Sequence, residues 1–314
     1  MNENVLAGVD LGGTTTKMGL FSQTGELLNK WDIPTDLSNN GTQIVPSIAH
    51  SLEEKLLKLH IEKNQVIGVG VGAPGSVHVE KGIIFEAVNL GWKQFPLKAE
   101  LEKAIGLSVT TENDANCAAL GEMWMGAGKG AKDMVCVTLG TGVGGGIITN
   151  GQVVHGIKGA GGEIGHMTIV PENGLPCNCG KTGCLETVAS ATGIVRLAKQ
   201  SLADFTGETI LNRADLSAKS IFDAAEKGDA FAKQVVEKVA FYLGWALSHL
   251  GNTLNPEKIV IGGGVSRAGN TLLEPVNQYF YSFSFPTVQE STSLSVATLG
   301  NDAGIYGAAW LAHK

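Results

Sequence analysis

The sequence predicts an α/β protein built from two domains of similar topology. The chain has 314 residues, which exceeds the size at which a single hydrophobic core usually stops growing. Apolar runs typical of buried strands alternate with amphipathic patterns typical of helices. A strand, a glycine turn and a second strand begin at residue 9 and recur at residue 137, 128 residues later. Chance similarity of two glycine-rich turns is the alternative explanation of this repeat.

The composition excludes fibrous and disordered chains. Glycine accounts for 43 of the 314 residues, about twice its usual share. The glycines follow no Gly-X-Y period, so the chain is not a collagen. Because 43% of the residues are apolar and only 9 are proline, it is not a flexible low-complexity segment either. The glycines therefore serve a packed globular protein.

Charge and hydropathy exclude two classes of partner. The chain carries 23 basic and 30 acidic residues, a net charge of -7, and has no dense run of Lys and Arg. We therefore do not expect nucleic acid as a partner. No apolar run reaches the roughly 20 residues of a membrane span, and the first residues do not resemble a signal peptide. We expect a cytoplasmic protein without a membrane partner.

Periodicity and turn residues place the elements of each half. In the first half the patterns predict strands at residues 5–11, 17–21, 26–33, 66–71 and 108–111, helices at 45–59, 96–105 and 117–125, and a loop at 72–75. In the second half they predict strands at 146–149 and 258–261, and helices at 230–250 and 302–312. We place the domain boundary near residues 115–130.

Three glycine turns follow apolar strands, at residues 10–15, 139–146 and 262–265. Glycines in such turns expose backbone N–H groups that bind phosphate, and threonine hydroxyls add donors. None of the turns fits the Walker or Rossmann pattern. Three turns in one chain favour nucleotide binding over ordinary tight hairpins. The candidate nucleotide-binding residues are Asp10, Gly12, Gly13, Thr14, Thr15, Lys17, Gly140, Thr141, Gly142, Gly262, Gly263 and Gly264.

Asp10 lies at the end of the first strand, two residues before the glycine turn. Bound phosphates would repel its carboxylate unless a cation lay between them. The functional interpretation is a contact to Mg²⁺, directly or through water. A carboxylate that only binds nearby turn amides is the alternative.

One imidazole and three thiols form a candidate metal site. His166 precedes Cys177, Cys179 and Cys184, the full ligand set of a closed tetrahedral zinc site. A disulfide is disfavoured, because three clustered thiols would leave one unpaired. Four protein ligands leave no position for water, so the predicted Zn²⁺ is structural. Glu163 and Glu186 flank the motif and are candidates to bind the hydroxyls of a polyhydroxylated substrate, although Glu186 could equally be a solvated surface residue.

Asn113 and Asp114 stand where a strand gives way to a helix. Asn and Asp are preferred helix caps, so capping alone would account for both residues. Beside phosphate-binding turns, a carboxylate here is also a natural general base for a hydroxyl that attacks a phosphoryl group. Both interpretations stay open on the residues alone.

Seven segments together resemble the ROK family of sugar kinases and repressors, and within it the bacterial glucokinases. The segments are residues 10–14, 72–75, 89–92, 112–116, 139–146, 161–166 and 177–184. The resemblance covers essentially the whole chain. It implies an actin-like ATPase (ribonuclease H-like) α/β fold of two similar domains around a cleft. It also implies ATP-dependent phosphorylation of glucose at its 6-hydroxyl group, with Mg²⁺ as a cofactor.

The resemblance also implies roles for residues that match the family's motifs. Asp114 would be the general base that takes the proton from the sugar 6-hydroxyl. The implied sugar-binding residues are Gly72, Asn89, Asn113, Asp114, Glu163, His166 and Glu186. The implied domains are residues 1–116 with about 300–314, and residues 117–299. Homodimers or higher homo-oligomers are expected.

Three alternatives are weighed against a glucose kinase. Repressors of the family carry a DNA-binding domain before the first glycine turn, and here only residues 1–4 precede the first strand. Because the chain is also acidic, a sugar-sensing repressor that lacks its DNA-binding domain is disfavoured. A kinase of fructose, N-acetylmannosamine or N-acetylglucosamine stays open, because sequence does not decide which hydroxyls the pocket pairs. Polyphosphate as the donor is disfavoured, because the third glycine turn lies where an adenosine is expected.

Overall fold

A computed structural model describes residues 4–313. The strands are β1 (Val5–Leu11), β2 (Thr15–Ser22), β3 (Leu27–Pro34), β4 (Val66–Ala73), β5 (Ser76–His78), β6 (Ile83–Ala87), β7 (Trp92–Phe95), β8 (Val109–Asn113), β9 (Met134–Leu139), β10 (Val143–Thr149), β11 (Gln152–Val153), β12 (Lys258–Gly262) and β13 (Ser293–Val296). The α-helices are α1 (Ser38–Gly41), α2 (Ile44–Lys58), α3 (Leu97–Ile105), α4 (Asp114–Met125), α5 (Glu186–Ala189), α6 (Ala191–Ala203), α7 (Ala218–Glu226), α8 (Ala230–Leu254), α9 (Asn270–Phe283), α10 (Pro286–Ser291) and α11 (Ala303–Leu311).

The described chain divides into two compact units. The first comprises residues up to 130 with 153–161 and those from 301 onward, and the second comprises residues 131–152 and 162–300. The first unit continues past the expected boundary at 116, because α4 packs against α11. Gly307 makes this packing close, since a side chain there would collide with the backbone carbonyl of Cys117.

The first unit contains a five-stranded sheet in the order β3-β2-β1-β4-β8. Strands β1, β2 and β3 are antiparallel, whereas β1, β4 and β8 run parallel. One core joins the sheet to α2 and α3 through residues such as Ile48, Leu52 and Leu101, all of them fully buried. A second cluster joins Leu6 and Phe21 to α11. The sheet therefore has a buried helix layer on each face.

A small antiparallel sheet, β5-β6-β7, also belongs to the first unit. Its strands were not expected from the sequence. They are short and alternate buried residues, such as Ile84 and Trp92, with exposed ones.

The second unit repeats the topology of the first around the sheet β11-β10-β9-β12-β13. Strands β9 and β10 form an antiparallel hairpin, and β9, β12 and β13 run parallel. Helices α5 to α9 build its core, in which Phe231, Leu243 and Phe280 are fully buried. The expected pair of domains with similar topology is confirmed by these two sheets.

Two elements near the candidate site have boundaries that differ from those predicted from the sequence. Strand β4 continues through Gly72 and Ala73, so the expected loop at 72–75 is reduced to Pro74 and Gly75. Helix α4 begins at Asp114 rather than 117, directly after β8. Among residues 4–313, no helix combines the length and apolar character needed to cross a membrane.

Candidate functional site

The carboxyl ends of three parallel strands bring candidate residues of the first unit together. Asp10 on β1 is in register with Gly72 on β4, and Gly72 is in register with Glu112 on β8. Asn113 ends β8, and Asp114 opens α4. Ligands of α/β sheets bind outside the carboxyl ends of strands, so this edge is the natural place for chemistry.

Asn113 is the N-cap of α4. Its side-chain oxygen accepts hydrogen bonds from the backbone N–H groups of Ala115, at 2.9 Å, and Asn116, at 3.2 Å. Its amide nitrogen donates to the carbonyl oxygen of Gly75, at 3.0 Å. The capping role considered from the sequence is therefore present. It fixes Asp114 in the first turn of the helix, where Oδ1 accepts from the N–H of Ala115 at 2.8 Å.

Asp10 lies in an environment that disfavours its charge. Burial, followed by the charge of Asp114, raises the pKa of Asp10 from 3.8 to about 6, while Lys17 acts in the opposite direction. Two neighbouring carboxylates each disfavour the ionisation of the other. A cation bound between them at this edge of the sheet would stabilise both in their ionised forms. The donor chemistry of Asp10 therefore fits a magnesium contact.

The turn between β1 and β2 presents backbone and hydroxyl donors. The N–H of Gly12 closes the turn on the carbonyl oxygen of Thr15, at 3.1 Å. Thr14 and Thr15 are exposed. The Nζ atom of Lys17 donates to the carbonyl oxygen of Asn301, at 2.6 Å. The turn can offer polar groups to an anion, while the ammonium group of Lys17 is held by the backbone just before α11.

Two further residues expected to bind sugar lie in the first unit. Gly72 is buried within β4, and a side chain there would lie 2.9 Å from the Sγ atom of Cys117. Asn89 is exposed on a short 3₁₀ helix, Val88–Leu90, beside Gly13. Packing against Cys117 is thus sufficient to explain the small residue at position 72.

In the second unit the four predicted metal ligands converge. One donor atom from each of His166, Cys177, Cys179 and Cys184 can be chosen so that all lie within 4.8 Å of one another. Burial and the neighbouring thiols raise the pKa of Cys184 to about 12. Cys177 and Cys184 are buried and Cys179 is exposed. Clustered thiols become a set of ligands when a cation replaces their protons. The residues fit a structural Zn²⁺.

The two ring nitrogens of His166 face different groups. Nδ1 lies 3.6 Å from the Sγ atom of Cys177, and Nε2 lies 3.9 Å from a carboxylate oxygen of Glu163. Metal-bound histidines commonly direct their other nitrogen to a carboxylate. Glu186 begins α5, and its Oε2 accepts from the N–H of Val143 at 3.1 Å. Glu163 therefore lies beside His166, and Oε1 of Glu186 lies 3.6 Å from the Sγ atom of Cys177, so both carboxylates flank the cluster as the sequence suggested.

A cavity of about 570 Å³ lies wholly within the second unit. Its walls include candidates from two glycine turns, Gly140, Thr141 and Gly264. Its remaining lining residues are Ala191, Ser217, Ala218, Lys219, Phe222, Asp223, Val265, Arg267 and Ala268. An aromatic ring, small apolar side chains and two cationic side chains suit a flat heterocycle joined to an anionic group.

Sequence reasoning missed several of these residues. The α7 side of the cavity, with Lys219 and Phe222, looks in sequence like an ordinary amphipathic helix. The sequence assigns no role to Glu112 within the segment 112–116, although Glu112 is only 2% exposed and its Oε2 lies 2.6 Å from Nε2 of His155. The available signal for Glu112 was its place between the predicted strand at 108–111 and the pair Asn113 and Asp114. No pattern marks His155.

Comparisons with known proteins agree with the geometry. A family model described as "ROK family" matches residues 6–314. A glucokinase from Halalkalibacterium halodurans is 52% identical over 99% of this chain and 96% of the relative. A glucokinase from Thermotoga maritima is 40% identical over 97% of this chain and 96% of the relative. A crystal structure of a ROK family glucokinase from Streptomyces griseus, in complex with glucose and AMPPNP, has a TM-score of 0.78 and 34% identity. It covers 98% of this chain and 99% of that one.

Proposed function

The chain belongs to the ROK family, and on that premise we propose that it transfers the γ-phosphoryl group of ATP to glucose. Its fold is the actin-like ATPase fold expected above. The observation that carries the proposal is the 52% identity to a glucokinase over 99% of the chain. A second relative of solved structure holds glucose together with an ATP analogue. The product is glucose 6-phosphate.

In the first unit we assign Asp114 as the general base. Its carboxylate accepts the proton of the glucose 6-hydroxyl while that oxygen forms a bond to the γ-phosphorus, and the bond to the β-phosphate oxygen breaks to release ADP. Asn113, Gly72 and Asn89 are assigned to sugar binding. The support is geometric, because the cap at Asn113 holds Asp114 at the carboxyl edge of the sheet.

The β1–β2 turn is assigned to the phosphates of ATP, with Asp10 as the contact to Mg²⁺. When bound, Mg²⁺ would neutralise phosphate charge. Asp10 would then gain a cation that favours its ionised form, against the burial that raises its pKa. Gly12, Gly13, Thr14 and Thr15 would supply backbone and hydroxyl donors.

In the second unit we assign the cavity of about 570 Å³ to the adenosine part of ATP. The turns at 140–142 and 262–264 are assigned to the same nucleotide. Glu163, His166 and Glu186 are assigned to sugar hydroxyls, and Cys177, Cys179, Cys184 and His166 to a structural Zn²⁺. The Zn²⁺ would contribute folding free energy and orient His166. A homodimer or higher homo-oligomer is also proposed, which light scattering would test.

A coupled ADP-release assay tests the function. We expect glucose to be the preferred acceptor among glucose, mannose, fructose, N-acetylmannosamine and N-acetylglucosamine, with turnover lost when Mg²⁺ is removed. The same assay with polyphosphate in place of ATP tests the donor. A higher kcat/KM for another acceptor would assign the chain to that sugar instead. No turnover with any of these sugars would reject the kinase activity.

A further inference from the structure

Glu112 is a buried carboxylate beside the proposed base. Its side chain is 2% exposed, and it immediately precedes Asn113 and Asp114. Burial of a charged group is unfavourable unless hydrogen bonds or an opposite charge compensate it. A carboxylate buried at such a position is expected to have partners on both of its oxygens.

Both oxygens of Glu112 have partners within the first unit. Oε1 accepts from the backbone N–H of Asn113 at 2.8 Å and from the side-chain amide of Asn116 at 3.0 Å. These bonds join the end of β8 to the first turn of α4. They bracket Asp114, which lies between the two donors in the chain. The orientation of the Asp114 carboxylate therefore depends on the position of Glu112.

Oε2 of Glu112 is held by His155. The Nε2 atom of His155 lies 2.6 Å from Oε2, and the His155 side chain is 35% exposed. When the Glu112 carboxylate is the acceptor, Nε2 of His155 is the donor of this hydrogen bond. His155 is itself fixed, because its carbonyl oxygen accepts from the N–H of Gly161 at 2.7 Å. The segment 153–161 is thereby tied to the end of β8.

We propose that His155 and Glu112 are positioning residues for the phosphoryl-transfer step. His155 fixes the carboxylate of Glu112, and Glu112 fixes the strand-to-helix corner that presents Asp114. This inference rests on the proposed function and deepens it. Neither residue contacts the reacting atoms in this role. A displacement of a reacting group by about 1 Å can lower the rate about a hundredfold, so we expect losses of about tenfold to a hundredfold here.

Steady-state kinetics of four variants test the proposal. His155→Ala should lower kcat about tenfold to a hundredfold while changing the KM for glucose by less than about threefold. His155→Gln can still donate to Oε2 and should recover most of kcat. Glu112→Gln keeps a side-chain oxygen that can accept from Asn113 and Asn116. This variant tests the proposal if His155→Ala does not fold. In Glu112→Gln the loss of kcat should lie between those of the two His155 variants. His78→Ala is the matched control, since His78 lines the same cavity of the first unit as His155.

The positioning role of His155 and the kinase activity itself fail under different results. Wild-type kcat in His155→Ala, or equal losses in His155→Ala and His155→Gln, overturns the positioning role. A large rise in KM at unchanged kcat also overturns it, because that result indicates substrate binding. The same loss in His78→Ala also overturns it, because the effect would then not depend on the hydrogen bond between His155 and Glu112. Failure of the wild-type protein to phosphorylate any sugar rejects the proposed function itself, whatever the variants do.

Discussion

The two glycine hairpins share one backbone plan but carry different chemistry. In β1–β2, Asp10 faces Lys17, whereas in β9–β10 the matching pair is Thr138 and Gly144. The first connection has four residues, between paired Leu11 and Thr16, and the second has three, between Leu139 and Val143. The repeat of 128 residues therefore holds for the first strand of each hairpin and shortens by one after the turn.

The two units share a topology but place different chemical groups at their hairpins. The first unit places charge at the carboxyl edge of its sheet, with Asp10 and Asp114 close enough to influence each other. The second unit removes side chains from its hairpin. A side chain at Gly145 would lie 2.6 Å from the carbonyl oxygen of Gly162. The glycines there admit the segment that carries Glu163 and His166. Charge in one unit and close backbone packing in the other are separately testable.

The largest effect is expected where the charged edge carries the chemistry. Asp114→Asn should lower kcat about a hundredfold to ten-thousandfold, because a general base is worth that much. The cap at Asn113 remains, so the melting temperature should change little. Asp204→Asn, an exposed carboxylate of the second unit, is the control. Near-normal turnover in Asp114→Asn would show that the charged edge of the first unit does not supply the general base.

The stability of the second unit should depend on its bound Zn²⁺. Structural zinc sites contribute a free energy on the order of 10 kcal/mol, so loss of one of four ligands should cost several kcal/mol. Cys179→Ser is therefore expected to lose zinc by elemental analysis and to melt at a lower temperature. Asn178→Ala changes an exposed neighbour and should keep the metal. Equal zinc content in both variants contradicts the assignment of Cys179.

The titration of Asp10 should make the free energy of unfolding depend on pH. Its pKa rises from 3.8 when unfolded to about 6 when folded, so the folded state binds the proton more tightly. Stability should therefore fall as pH rises from about 4 to about 6, by at most about 3 kcal/mol. Asp10→Asn removes this fall and should be more stable than wild type at pH 7.5 without Mg²⁺, yet less active.

The control for this third variant is the matching position of the other hairpin. Thr138→Val should leave the pH dependence of stability as in wild type, because no titratable side chain is lost. Denaturant melts across the pH range measure both variants. Parallel pH profiles for Asp10→Asn and wild type would contradict the environment assigned to Asp10.

Much of this division was readable from the sequence, for identifiable reasons. Continuous apolar runs predicted β1, β4 and β12, and the repeated glycine turn predicted the second hairpin. The cysteine spacing announced a cluster that the structure assembles. Lys219 and Phe222 were missed because they reach the cavity from a helix far from the glycine turns in sequence. His155 was missed because its partner, Glu112, is brought to it only by tertiary folding.

The smallest effect concerns packing in the second hairpin. Gly145→Ala would place a methyl group 2.5 Å from Cδ1 of Ile164 and 2.6 Å from the carbonyl oxygen of Gly162. The side chain of Ile164 can rotate, but the carbonyl must move with its backbone, so we expect a cost of about 1–3 kcal/mol. Glu163 follows Gly162 directly, and its displacement should raise the KM for glucose.

A strand glycine of the first unit provides the matched control for Gly145→Ala. In Gly68→Ala the nearest atoms to the new methyl group lie at 3.5 Å, an ordinary contact distance. That variant should be neutral or slightly stabilised, because alanine loses less backbone entropy on folding than glycine. Thermal melts with glucose kinetics measure both variants. Equal melting temperatures and an unchanged KM would mean that the second hairpin tolerates a side chain, and the packing distinction between the hairpins would not hold.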